Sequence, residues 1–290
     1  MRYGDFMARH GQDVAGLRNR FLLSVMVFLS GFAAVWGRAQ DAEKGPTGPR
    51  VRFDSFVNEN YRHLPALHGW QNTRAVMASS LAGWFLILEQ GQAVTDGTPD
   101  QLADFLKKLP GAKDCDISVV YLASQQSARG DWEFVGKERC NWSDLLRESK
   151  IPPHPSRIVV MDSCYARVVG DMEGWEKLAT LSLFAASGDE RAWELDLSTK
   201  VPIDFRRRYP GAWAWSRRRL PEDWDGRISF LGLMWMEACA GWKEAPVTIT
   251  EWERFFGRCE ELAHRFRELH GRRWFSTLSD CRRTGRDMRK

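Results

Sequence analysis

The stretch from Arg157 to Ala166 constrains the fold more than any other part of the 290-residue chain. It reads Arg-Ile-Val-Val-Met-Asp-Ser-Cys-Tyr-Ala, with Pro155 just before it. Apolar residues run from Ile158 to Met161 without alternation, and polar residues follow. A short unbroken apolar run of this kind reads as a strand buried on both faces, the type found in parallel sheets covered by helices. The strand is expected to stop at Asp162, which puts Cys164 in the loop past its carboxyl end. Ligands of open α/β sheets bind at that edge. A cysteine there has two readings, a nucleophile or a small buried filler.

The rest of the chain supplies the partners such a strand needs. Residues 51–57 read as a first strand, and helix periodicity runs from Gln71 to Ala82, with Ala75, Val76 and Leu81 on its inner face. Trp84 to Leu88 reads as a second strand. Asp96-Gly97 marks a turn, and Thr98 is the expected N-cap of a helix over Asp100 to Leu109. Asp116 to Ala123 reads as a third strand. Gly130 to Phe134 alternates and suits a small hairpin, and Trp142 to Ser149 reads as a short helix capped by Asn141 or Ser143. Pro152, Pro153 and Pro155 end it. Leu181 to Ala186 reads as a fifth buried strand. Ile228 to Gly241 reads as a buried helix, and Thr248 or Thr250 caps a long helix reaching about Leu269. Strands alternating with helices at this spacing predict an α/β fold with a mainly parallel sheet covered on both faces. Fourteen tryptophans provide material for a large core.

The first 39 residues are of another kind. Arg18 and Arg20 precede an apolar run from Phe21 to Trp36, and Gly37-Arg38-Ala39 follows. This is the layout of a secretory signal peptide cleaved after Ala39. The run is short for a membrane span, which needs about 20 apolar residues, so contact with a membrane is expected only through an uncleaved N-terminal anchor. Residues 40–50 read as a linker, 51–270 as the folded domain and 271–290 as a basic tail. Residues 1–39 hold five arginines against two aspartates, a net +3, which leaves about +1 of the whole chain's +4 for the remainder. The basic character is therefore mostly a property of the leader and is no argument for nucleic acid. The stretch Arg206 to Arg219 interleaves arginine with aromatics. It reads as a polyanion-stacking surface, as a solvated loop anchored by its tryptophans, or as a wall of a substrate cleft, and export disfavours the first. No nucleic-acid partner is expected.

The Asp162-Ser163-Cys164-Tyr165-Ala166 run resembles the caspase-like peptidases, the superfamily of caspases, metacaspases, legumains and gingipains. Their catalytic cysteine follows a buried strand in an Asp-(Ser/Ala)-Cys-(His/Tyr/Phe)-(Ser/Ala)-Gly motif, and here Arg167 occupies the glycine position. The family histidine ends the preceding core strand in a Tyr-Leu-Ala-Ser-His-Gln type motif. Here that strand reads Tyr121-Leu122-Ala123-Ser124-Gln125-Gln126, so Gln125 stands where histidine is expected. Asn60 to Thr73 resembles the family's first loop and helix start. The resemblance covers roughly residues 51–270 and is weakest over 189–227. It implies a three-layer sandwich with about six mainly parallel strands, a peptide or protein substrate, and a site built on Cys164 and Gln125, with Ser124, Asp162 and Ser163 lining it. In metacaspase-like relatives the acid two residues before the cysteine selects Arg or Lys. The alternative for Asp162 is a cap on the turn that follows it.

A cysteine peptidase needs a thiolate, a proton donor for the leaving amine and donors for the oxyanion. Glutamine cannot supply the first two, although its NH2 can support an oxyanion. Exchange of histidine for glutamine therefore implies very weak or no catalysis, or a cleft kept for binding alone. His63 and His68 lie in the loop after the first strand, at the same edge as Cys164, and either is a candidate replacement base. His154 is expected at the opposite edge, and His264 and His270 on a solvated helix face. No cofactor is expected. No Gly-rich phosphate loop occurs, and Cys115, Cys140, Cys239, Cys259 and Cys281 form no CxxC pair that would suggest zinc. Export permits disulfides, but the sequence does not choose a pairing.

Overall fold

The structure is a computed structural model and describes residues 47–62, 69–136, 138–196 and 226–270. The expected leader 1–39, the Arg206 to Arg219 stretch, the tail 271–290, His63, His68 and Cys281 lie outside the described residues.

The fold is α/β. One sheet carries five parallel strands in the order β2-β1-β3-β6-β7. These are β1 (Arg50–Val57), β2 (Ile87–Thr95), β3 (Ile117–Ser124), β6 (Arg157–Ser163) and β7 (Leu181–Phe184). About six strands are expected from the resemblance, and among the described residues the sheet holds five. The remaining strands pair with each other instead. β4 (Asp131–Glu133) and β5 (Arg139–Asn141) form a hairpin, and β8 (Glu194–Asp196) and β9 (Arg227–Ser229) form a second antiparallel ribbon.

Two helical layers cover the sheet. Residues of α1 (Gly69–Trp84), α6 (Phe230–Gly241) and α7 (Ile249–His270) pack on one face with Ile158 and Val160. On the other face, α2 (Pro99–Lys107), α3 (Trp142–Glu148), α4 (Arg167–Gly170) and α5 (Trp175–Leu178) pack with Val159 and Met161. The alternating pleat of β6 sends successive side chains into opposite layers, and every residue of the strand is buried. This is why its apolar run is continuous.

Tryptophans among the described residues pack in both layers. Trp132, Trp142 and Trp175 follow one another at centroid distances of 5.1 and 5.9 Å on one face. On the other, Trp84 lies 6.1 Å from Trp252 and 5.1 Å from Phe255. These contacts explain one correction. Trp84 ends α1 rather than beginning β2, because the helix carries it into the α7 layer, and the strand starts only at Ile87. A second correction concerns residues 227–229, which form β9 ahead of a shorter α6. Ser229 caps that helix, its Oγ accepting from the Gly232 N–H at 3.0 Å.

Candidate active site at the carboxyl edge of the sheet

β3 and β6 are adjacent and parallel, with Ser124 opposite Ser163. The next residue on each strand is Gln125 and Cys164. Equal register therefore delivers both side chains to the same point past the carboxyl edge. The Cys164 thiol donates to Gln125 Oε1 at 3.4 Å.

Both residues are held by their surroundings. The Gln125 N–H donates to the Tyr61 hydroxyl at 2.7 Å, and its carbonyl accepts from the Glu133 N–H at 2.9 Å. Tyr61 Oη lies 2.8 Å from Ser124 Oγ, whose own proton goes to the Glu133 carbonyl at 2.6 Å. Beyond the cysteine, Tyr165 has φ of 53°, a left-handed conformation that costs a non-glycine residue about 1–2 kcal/mol. Two bonds fix it: its N–H donates to the Glu190 carbonyl at 2.7 Å, and Gln126 Nε2 donates to its carbonyl at 3.0 Å. Ser163 points to the other face from Asp162 and donates to Gln126 Oε1 at 3.4 Å. Arg167 turns its guanidinium to Asp171, at 3.3 Å.

Cys164 is 7% exposed. Burial pushes its thiol pKa up, against weaker opposing effects from the Ala192 N–H and the Arg191 charge. The local field thus favours the neutral thiol. His154 sits at the opposite end of β6, where its Nδ1 accepts from the Ser156 N–H at 3.1 Å and its Nε2 donates to the Cys115 carbonyl at 3.1 Å. His264 lies on α7 beside Glu268.

Asp162 is fully buried on the α1–α6 face. Its Oδ2 accepts from the Tyr121 hydroxyl at 2.9 Å, while Oδ1 has no partner. Burial raises its pKa to about 6, and Ser229, Tyr121 and Trp70 offset part of that rise. The carboxyl faces Tyr121 rather than capping the turn that follows, so the capping reading is corrected.

Two acids missed in the sequence complete the edge. Glu59 follows β1, is 4% exposed, and accepts from the Gln71 N–H at 2.5 Å. Glu194 begins β8 and accepts from the Gly69 N–H at 2.7 Å. Both bind free N–H groups of the first turn of α1, where a helix dipole favours anions. Burial raises the Glu59 pKa to about 7, with Glu194 and Asp96 adding to the rise. Glu59 had one detectable signal, its place just after a core strand at the ligand-binding edge. Glu194 had none, because its neighbourhood carries no periodicity. Three buried acceptors at this edge lack partners: Asn58 Oδ1, Gln71 Oε1 and Asp162 Oδ1.

The described cysteines are free thiols. Among the described residues no cluster of three metal-ligating side chains occurs, and no helix is long and apolar enough to cross a membrane. No protein-family model matches the chain, and neither does any curated protein sequence.

Proposed function

We propose that the chain is a caspase-like domain whose cleft binds basic peptide or protein segments and cleaves them very weakly or not at all. The contact between Cys164 and Gln125 carries this reading. The two residues meet as a nucleophile and its base would, but the base is an amide. An amide oxygen accepts the thiol proton in a hydrogen bond without removing it, so Gln125 does not generate the thiolate as a base would. The strand order and the helices on both faces are compatible with a caspase-like sandwich.

The preference for Arg or Lys rests on the acceptors that the edge leaves unpaired. Before a ligand binds, burial disfavours ionisation of Asp162 and Glu59, and three buried acceptors at this edge, Asn58 Oδ1, Gln71 Oε1 and Asp162 Oδ1, lack partners. A guanidinium or ammonium group supplies only donors and one positive charge, which is the complement of that set. The leader-like segment before residue 40 supports export of the mature chain.

The test compares wild type, Gln125→His and Gln125→His with Arg167→Gly on fluorogenic peptides with Arg, Lys or Asp before the scissile bond. Wild type is expected to turn over at or near background. Gln125→His is expected to raise cleavage after Arg or Lys by at least ~10²-fold, the lower end of what acid–base catalysis contributes, and Cys164→Ala to abolish it. Robust wild-type cleavage that His63→Ala or His68→Ala removes would replace this reading with an active peptidase using a relocated base.

A further inference from the structure

The segment from Glu190 to Glu194 runs past the Cys164 thiol and is pinned at both ends. At one end the Glu190 carbonyl accepts from the Tyr165 N–H at 2.7 Å, and the Glu190 carboxylate meets Arg267 at 3.1 Å. In the middle, the Ala192 N–H and the Arg191 charge face the sulfur. At the other end Glu194 holds the Gly69 N–H of α1. That helix end is shared, since Glu59 holds the Gln71 N–H of the same turn.

A helix amino terminus carries roughly half a unit of positive charge. One carboxylate is stabilised there, and two ionised ones overcompensate it. The two acids are not held alike. Glu59 is buried, and its own N–H is tied to Asp96 Oδ1 at 2.8 Å. Glu194 sits on a three-residue strand of a two-stranded ribbon. Repulsion between them is therefore relieved at Glu194.

We propose that Glu59 and Glu194 form a proton-operated latch that sets how tightly residues 190–194 lie over Cys164. With Glu59 protonated, Glu194 alone takes the helix end and the segment is closed. With Glu59 ionised, the hold of Glu194 weakens and the thiol is uncovered. The charged and titratable groups facing Glu59 among the described residues are Glu194 from β8, Asp96 from the turn after β2, Arg74 from α1 and Tyr121 from β3. Asp162 faces Glu194 from β6. Of these, only Arg74 favours ionised Glu59. Burial is the main reason that Glu59 holds its proton up to about pH 7, and it acts in both forms; the latch adds or removes only the smaller contribution of Glu194. Closure is thus tightest at low pH and weakens as pH rises through about 7. The latch uses two of the acids at the cleft edge, but its readout needs no peptide, so it can fail or hold independently of cleavage.

The experiment is peptide-level mass spectrometry of the full chain treated with iodoacetamide between pH 5.5 and 8.5, following Cys164 alone. Dividing the wild-type rate by that of Glu59→Gln at each pH removes the ordinary ionisation of the thiol. The ratio is expected near one at pH 5.5 and to rise through pH 7 to roughly twofold or more at pH 8.5, because opening removes only the Glu194 part of the Glu59 shift. Direct electrostatics predicts the opposite sign, because an ionised Glu59 nearby disfavours the thiolate. A ratio that is flat or falls with pH overturns the latch. Should Glu59→Gln not fold, Glu194→Gln takes its place as the denominator. It keeps an amide acceptor for the Gly69 N–H and removes the repulsion, so the same rise is expected. Failure of the peptide assays would leave this outcome unchanged.

Discussion

Asp162 is the residue at which burial and charge conflict most directly. Its folded pKa is about 6, against an ordinary 3.8, and burial is the main cause. The folded chain therefore keeps a proton that the unfolded chain releases. Stability from this group is complete below about pH 4 and falls as pH rises through 6. A shift of this size corresponds to at most about 3 kcal/mol. Asp162→Asn keeps an acceptor for the Tyr121 hydroxyl and removes the charge. Urea unfolding at pH 4.5 and pH 8 is expected to show wild type losing about 1–3 kcal/mol more than the variant over that range. Equal losses would mean that the carboxyl is solvated or paired in the native state. Glu59 adds a loss of the same sign to both proteins, so the difference between them isolates Asp162.

Among the elements, some ends are decided locally and others by neighbours. Thr98 caps α2 as expected, in a capping box closed by Gln101. Four consecutive residues suffice for that signal. The start of β2 could not be read in the same way, because Trp84 belongs to a contact with α7 more than 160 positions later in the chain. β2 also holds a position that only packing explains. Its pairing with β1 is irregular between Phe53 and Ser55, and the fully buried Asp54 carboxylate reaches across to the Gln92 N–H at 2.6 Å and to Arg52. A Cβ at Gly91 would lie 2.2 Å from Asp54 Oδ1. The carboxylate is held from two sides and cannot step aside. Gly91→Ala is expected to destabilise the fold by about 1–3 kcal/mol through overpacking, read as a lower urea midpoint with unchanged slope. A neutral outcome would show that the strand pair relaxes freely there.

At the scale of the molecule, the α1–α6–α7 layer is built on paired indoles. Trp235 and Trp252 are both fully buried, 6.1 Å apart, and differ in one bond. Trp235 Nε1 donates to Ser80 Oγ at 2.8 Å, whereas Trp252 Nε1 has no partner. Replacing either by phenylalanine leaves a similar void. Only Trp235→Phe also breaks a hydrogen bond, while Trp252→Phe removes a buried unsatisfied donor. Trp235→Phe is therefore expected to cost more, by about 1 kcal/mol or above. Equal unfolding free energies for the two variants would contradict this.

The sequence by itself determined the α/β class, the buried Cys164 strand, most helix and strand positions, and the approach of Cys164 to Gln125. The first three follow from periodicity and from caps within a few residues, and the last was implied by the resemblance of two strand-end motifs. The tertiary structure alone decided that Asp162 is sealed against Tyr121, that Trp84 is helical, and that Glu59 and Glu194 share one helix end. The reason is range. Glu194 reaches Gly69 across 125 positions and Asp162 reaches Tyr121 across 41. A carboxylate's partner and pKa depend on what surrounds it in space, and no local pattern of residues carries that information.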